Sequence, residues 1–143
     1  GLTPTPGLPS TLTAVGQELL DTMAVYPDSI DLSAWAPPVG NQGSVGSCTS
    51  WATGYYERYW LRNRALGETT IFAPMYLYSQ ITGGQNVGTS FSSNFNVLVN
   101  QGVAPQAIYW QGTQDYVDQP DAAEREAAYN PAGEPFHEIW IQA

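Results

Sequence analysis

The chain has 143 residues, 43% of them hydrophobic and 13% aromatic, which suits one folded domain with a substantial core. Its net charge of −9 makes nucleic-acid backbones and anionic membrane surfaces unsuitable partners. No apolar run approaches the roughly 18 residues of a membrane-spanning helix, and the first residues lack the features of a signal peptide. The only cysteine, Cys48, excludes an internal disulfide.

The first half of the chain predicts a linker and two helices. Residues 1–10 are rich in proline and glycine, and residues 11–24 carry apolar side chains at roughly helical spacing. Residues 27–40 are predicted to be extended chain and turns. A helix is expected from Ser47 to about Arg64, ended by Gly67, with two faces. The apolar face is Trp51, Ala52, Tyr55, Tyr59 and Leu66, and the polar face is Glu57, Arg58, Arg62 and Arg64.

The second half predicts three more helices and a strand. The helices are expected at about 73–82 with Pro74 in the first turn, from Ser90 to about Asn100, and at about 120–128. In the middle one, Phe91, Phe95, Leu98 and Val99 are expected to face inward. Residues 136–141 alternate apolar and polar side chains as a strand does.

The segment from Gln42 to Cys48 carries the main functional signal. It places the cysteine behind a Gly-Ser turn, six positions after a glutamine, at the start of the predicted helix. The positive end of a helix favours a negative charge, so a thiol there is well placed to react as a thiolate. A free cysteine is otherwise more often a small buried apolar residue, and that alternative stays open.

Four segments in order resemble the papain-type cysteine peptidases. Residues 38–52 are similar to the family's active-site pattern Gln-Gly-x-Cys-Gly-Ser-Cys-Trp-Ala-Phe, with the Gln-to-Cys spacing retained. Asp31-Leu32 is similar to the pair that opens the mature enzymes, and residues 73–78 to a Ser-Pro-Gln-Tyr-Leu segment. Residues 88–103 resemble the helix and turn after the glycine-rich substrate loop. The resemblance covers about residues 29–112, although Val45 and Thr49 depart from the family's cysteine and tryptophan.

The resemblance implies roles for six residues. Cys48 would be the nucleophile and Gln42 the side-chain donor of the oxyanion hole, while the substrate contacts would be Gly46, Ser47, Gly88 and Thr89. Without the resemblance, Gln42 is equally interpreted as a turn residue that is bonded to backbone. Gly88 and Thr89 are then interpreted as part of a loop that leads into a helix. His137, the chain's only histidine, is not expected to be the catalytic base, because it falls in the predicted strand. No metal or cofactor is expected, since no Cys/His grouping or phosphate-binding loop is present.

The resemblance implies an α+β papain-like fold of which this chain covers mainly the helix-rich left half. Residues 1–26 would be a leader and residues 27–143 the left domain, truncated before the β-rich right domain that carries the catalytic His and Asn. The expected function is hydrolysis of peptide bonds, with a peptide or protein as substrate and the right domain, or a second chain, as partner. The alternative is a non-catalytic binding module on the same half-fold.

Two further expectations concern assembly and location. The face that a right domain would cover should be apolar, so the isolated chain is expected to form homo-oligomers. The Pro/Thr-rich leader, the absence of lysine and the habit of the family point to a secreted or cell-envelope protein.

Overall fold

The computed structural model describes residues 29–110 and 114–128, and this part of the chain is mainly helical. The predicted leader, its helix at 11–24 and the strand at 136–141 with His137 lie outside the described residues. A short 3₁₀ turn, Ser33–Trp35, precedes the first long helix. That helix, α1, consists of three uninterrupted segments, and α2, α3 and α4 follow in chain order. Their bounds are Cys48–Ser50, Trp51–Glu57 and Arg58–Leu66 for α1, then Pro74–Thr82, Phe91–Asn100 and Ala122–Ala127.

The middle segment of α1 is a π-helix, which changes the face that the helix buries. Each π turn takes an i→i+5 bond, so the residues that follow are rotated from their α-helical positions. Trp51, Tyr55 and Tyr59 are buried as predicted. The prediction was wrong for Ala52 and Leu66, which are exposed, and for Arg58, which is buried with its guanidinium 5.6 Å from the centre of the Phe72 ring.

The ends of the helices follow the predicted signals. Gly67 and Gly83 both have left-handed backbones, at φ 70° and φ 60°, and end α1 and α2. Pro74 begins α2, where a missing N–H costs nothing. The Ser90 side chain accepts a hydrogen bond of 3.2 Å from Ser93 N and caps α3.

Helix α2 forms the centre of the core. Every residue from Met75 to Ser79 is buried, because α1 and α3 both pack against this helix. Leu98 of α3 is fully buried, but Val99 is exposed, so the predicted inward position of Val99 was wrong. The polar residue Asn94 of the same helix is buried, and its amide is hydrogen-bonded to Ser50, Thr89 and Ser90.

No strand occurs in residues 29–110 and 114–128, where the only β-type pairing is an isolated bridge between Phe72 and Pro105. A helix-rich unit is what the left half of a papain-like fold would contain, and other folds contain one too. The papain-like assignment therefore stays a prediction. Within the same residues, no helix is long and apolar enough to cross a membrane.

Candidate active site

Cys48 is an exposed thiol at the first residue of α1. Its neighbours Ser47 and Thr49 are buried, which fixes the backbone on both sides of the exposed sulfur. The first backbone bond of the helix joins Trp51 N to Ser47 O at 3.0 Å. The N–H groups of residues 48–50 therefore precede the helical ladder and have no acceptor within the helix. An electronegative group beside Cys48 would therefore lie close to N–H groups that can donate hydrogen bonds.

Ser47 leaves this helix end without a side-chain cap. It occupies the N-cap position, yet its hydroxyl makes no capping hydrogen bond. The Ser47 Oγ is buried and has no hydrogen-bond partner among the described residues. Serine at this position usually satisfies one of the opening N–H groups. Because Ser47 does not, the opening N–H groups of α1 have no side-chain cap. Its predicted role as a substrate contact stays a prediction, and the residue itself is completely buried.

Gln42 presents its amide nitrogen toward the turn that leads to Cys48. Its Nε2 donates a hydrogen bond of 2.9 Å to the carbonyl oxygen of Val45. The same oxygen accepts 2.8 Å from Ser47 N, the residue before the cysteine. A carbonyl only accepts, so this bond fixes which end of the amide faces the turn. One N–H of the half-buried Gln42 amide remains for another acceptor.

The hydroxyl of Thr49 is in hydrogen-bonding range of the sulfur. It lies 4.0 Å from Cys48 Sγ and donates its hydrogen to the Thr89 carbonyl at 3.2 Å. With its single hydrogen used there, Thr49 Oγ1 can only accept from the cysteine S–H. Thr49 therefore offers the sulfur only a hydrogen-bond acceptor.

Asn86 contacts the Gly46 backbone from a different loop and was not predicted as a site residue. Its Oδ1 accepts a hydrogen bond of 2.8 Å from Gly46 N, two residues before Cys48. The Tyr78 hydroxyl lies 3.2 Å from the same oxygen and donates 2.7 Å to Val87 O. No sequence pattern marks this contact, because it joins residues 40 apart.

Tyr78 is a neutral donor at this site. Burial raises the pKa of its hydroxyl, the hydrogen bond to the Val87 carbonyl lowers it, and the nearby Tyr116 and Cys48 raise it further. The hydroxyl therefore keeps its proton at neutral pH.

Asn94 joins α1, α3 and the predicted substrate loop. Its Oδ1 accepts 2.7 Å from Ser50 Oγ in α1, and its Nδ2 donates to Thr89 Oγ1 at 3.1 Å and Ser90 O at 2.8 Å. Thr89 is buried by these contacts, while Gly88 is half-buried. The structure thus brings the predicted residues Thr89 and Cys48 onto adjoining chain segments, but their binding to a substrate stays a prediction.

An apolar groove runs along the face of α1 that carries Ala52, one turn after Cys48. It has a volume of about 610 Å³. The lining residues are Leu32, Ser33, Ala36, Pro37, Ala52, Tyr56, Glu57 and Trp60. Burial raises the pKa of Glu57, the one acidic group in this lining.

The described part of the site contains no histidine and no cluster of metal-binding side chains. The only histidine of the chain, His137, lies outside the described residues. Among residues 29–110 and 114–128, no group of three or more ligating side chains could hold a metal ion.

Comparison with known proteins assigns the chain to no group. No protein-family model matches the chain, and no curated protein is significantly similar to it.

Proposed function

We propose that the chain is the nucleophile-bearing half of a papain-type cysteine peptidase, with Cys48 as nucleophile and Gln42 as oxyanion donor. One observation carries the proposal: an exposed sulfur at the start of a long helix, beside a glutamine whose amide nitrogen faces the same turn. The motif resemblance supplies the reaction class. A buried structural cysteine would have no need of the exposed position.

The proposed reaction forms and breaks two bonds at the substrate carbonyl carbon. The Cys48 thiolate attacks this carbon, and the resulting oxyanion accepts hydrogen bonds from Gln42 Nε2 and Cys48 N. The C–N bond then breaks, and the leaving amine takes a proton from the catalytic base, which leaves a thioester on Sγ. Water cleaves the thioester, releasing the acid and restoring the thiol.

The base would come from a further domain or a second chain. The family resemblance implies a histidine oriented by an asparagine, and the described residues hold no histidine. The apolar groove beside Ala52 supports a partner on this side of α1, because a large apolar surface favours burial. The same groove is the observation that favours the second candidate function, a non-catalytic binding module.

Alkylation of Cys48 by iodoacetamide at pH 7, followed by mass spectrometry, tests the proposal. The helix end stabilises negative charge by about 0.3–1 kcal/mol, so we expect a rate roughly two- to fivefold above that of free cysteine. Cys48→Ser gives the background, since it removes the only thiol. A rate no faster than that of free cysteine would contradict an activated nucleophile and favour the binding module.

A further inference from the structure

A small cavity beside the last segment of α1 contains two arginine side chains. Arg58 and Arg62 lie one helical turn apart and line this cavity, which has a volume of about 200 Å³ and is called the arginine cavity below. The whole chain has four arginines and no lysine, so half of its strong cations meet here. The other lining residues are Glu68, Thr70, Phe72, Val103, Pro105 and Ala127.

The two guanidinium groups are the inner charges of the arginine cavity, and Glu68 is the outer one. Arg58 is 3% exposed and lies over the Phe72 ring, whereas the side chains of Arg62 and Glu68 are 14% and 40% exposed. Glu68 binds Arg62 with both oxygens: Arg62 Nε donates 2.6 Å to Oε2, and Nη2 donates 2.7 Å to Oε1. Among the described lining residues, two positive charges therefore face one carboxylate. The apolar walls weaken screening by water, so the cavity favours a second carboxylate.

The described chain reaches the arginine cavity at the end of α4. Ala127 lines the cavity, and the next residue, Ala128, is buried with its N–H donating 3.1 Å to the carbonyl oxygen of Glu124. Residues 129–143 continue from this point and lie outside the described residues. The next part of the chain therefore starts at the wall of the cavity.

The segment 129–143 has the charge that the arginine cavity favours. It contains two glutamates and neither lysine nor arginine. The first of them, Glu134, is separated from Ala128 by five residues, which is an ordinary length for a loop. Pro131 and Gly133 within this stretch are typical turn residues, and closing so short a loop costs little entropy.

We propose that the arginine cavity is the docking site of segment 129–143, with the Glu134 carboxylate bound by the Arg58 guanidinium. A guanidinium group matches a carboxylate in shape as well as in charge, because two parallel N–H groups meet two oxygens. Docking fixes the segment that follows α4 against α1. The proposal is independent of the proposed function, since neither group takes part in the chemistry at Cys48.

Chymotrypsin cleavage of the full chain after Phe136 tests the docking, because the segment must detach to enter the protease. The protection is the cleavage rate of a free peptide of residues 129–143 divided by that of the chain, each with the same substitution. We expect a protection above tenfold in the unaltered chain. Glu134→Gln removes the charge and keeps the length of the side chain, so it should lower the protection by about tenfold. Glu138→Gln is the matched control and should change it less than twofold.

Arg58→Met tests the other side of the contact. It keeps an unbranched apolar chain against Phe72 and removes the charge, so it should lower the protection as Glu134→Gln does. The double variant should lose no more than either single variant, because the two groups act as a pair. If Arg58→Met does not fold, Glu134→Gln decides alone.

Three results would overturn the docking. They are equal protection in Glu134→Gln and the unaltered chain, a loss of protection confined to Glu138→Gln, and a protection that rises with protein concentration, which would indicate docking between two copies. The iodoacetamide rate of Cys48 is a separate measurement, so each of these results leaves the proposed function intact.

Discussion

Two loops meet at the candidate site, and they are held in different ways. The nucleophile loop, residues 38–47, is tied at its start to α1: Tyr55 donates 2.9 Å to Pro38 O, and Gly40 N donates 2.9 Å to the Tyr56 hydroxyl. The supporting loop, residues 83–90, is held by two side chains: the Tyr78 hydroxyl donates to Val87 O, and the Asn94 amide donates to Thr89 Oγ1.

The difference lies in where each loop is anchored. The nucleophile loop has its side-chain anchors at residues 38 and 40, and its later part is bonded by Asn86 from the supporting loop. The supporting loop is bonded to α2 and α3, which belong to the core. The position of the cysteine therefore depends on a loop that carries none of the proposed catalytic groups. Four substitutions in and around these loops test this dependence, and a fifth tests a buried charge in α1.

Asn94→Ala should have the largest effect. It leaves the buried hydroxyls of Ser50 and Thr89 without their partner, and each unsatisfied buried group costs about 1–3 kcal/mol. We expect a loss of about 3 kcal/mol in the free energy of unfolding, measured by urea denaturation. Asn96→Ala, on the exposed side of the same helix, should cost less than about 0.5 kcal/mol. Equal losses in the two variants would mean that the supporting loop is not anchored by Asn94.

Gly40→Ala tests the anchor of the nucleophile loop. The added Cβ would lie 2.2 Å from Cζ3 of the buried Trp51 indole, so the loop or the ring must move. Overpacking of this kind costs about 1–3 kcal/mol, and we expect about 2 kcal/mol with a lower melting temperature. Val39→Ala is the control, because Val39 is 94% exposed and should tolerate truncation. An unchanged melting temperature in Gly40→Ala would show that this part of the loop is loosely packed.

Tyr78→Phe and Tyr56→Phe each remove one helix hydroxyl that bonds a loop: Tyr78 bonds the supporting loop and Tyr56 the nucleophile loop. The first leaves Val87 O without its donor, and the second leaves Gly40 N without its acceptor. Each should reduce the free energy of unfolding by about 1 kcal/mol. The alkylation rate of Cys48 by iodoacetamide should change only in Tyr78→Phe, because Tyr78 supports the loop that bonds Gly46. A matching change in Tyr56→Phe would mean that the start of the nucleophile loop also positions the sulfur.

Glu57→Gln should have the smallest effect, and its sign depends on pH. Burial raises the pKa of Glu57 above its ordinary value of 4.5, so the folded state loses stability as the pH rises from 4.5 through the raised value, and the loss is complete above it. Below pH 4.5 the group is protonated in both states and contributes nothing. We expect Glu57→Gln to raise the free energy of unfolding by about 0.5 kcal/mol at pH 7. The gain should vanish as the pH falls below 4.5 in the same denaturation series. A gain that persists there would point to packing instead of charge.

The sequence predicted the local parts of this structure well. Pro74, Ser90, Gly67 and Gly83 act within one turn of their own positions, so helix ends could be located without knowledge of the fold. Cys48 at the start of α1 follows from the same local reasoning. The oxyanion role of Gln42 and the peptidase fold come from resemblance and stay predictions.

The missed features depend on contacts between distant residues. Asn94 is a polar residue in a helix, and its burial is explained by hydrogen bonds that include one to Ser50, 44 positions away. The π segment has no composition that marks it, so the apolar face of α1 was drawn with an α-helical period. Asn86 was missed because its contact with Gly46 also joins residues that are distant in the sequence.

The π segment also separates the two ends of α1. One extra residue per turn rotates everything after Glu57 by about 100° relative to a plain α-helix. Removing one residue between Trp51 and Glu57 would leave the sulfur in place but swing Trp60 and Arg64 together away from Trp35, whose ring lies 6.2 Å from the Trp60 ring and 5.7 Å from the Arg64 guanidinium. A single insertion or deletion in the π segment could therefore change the orientation of the end of α1 that carries Trp60 without moving the end that carries Cys48.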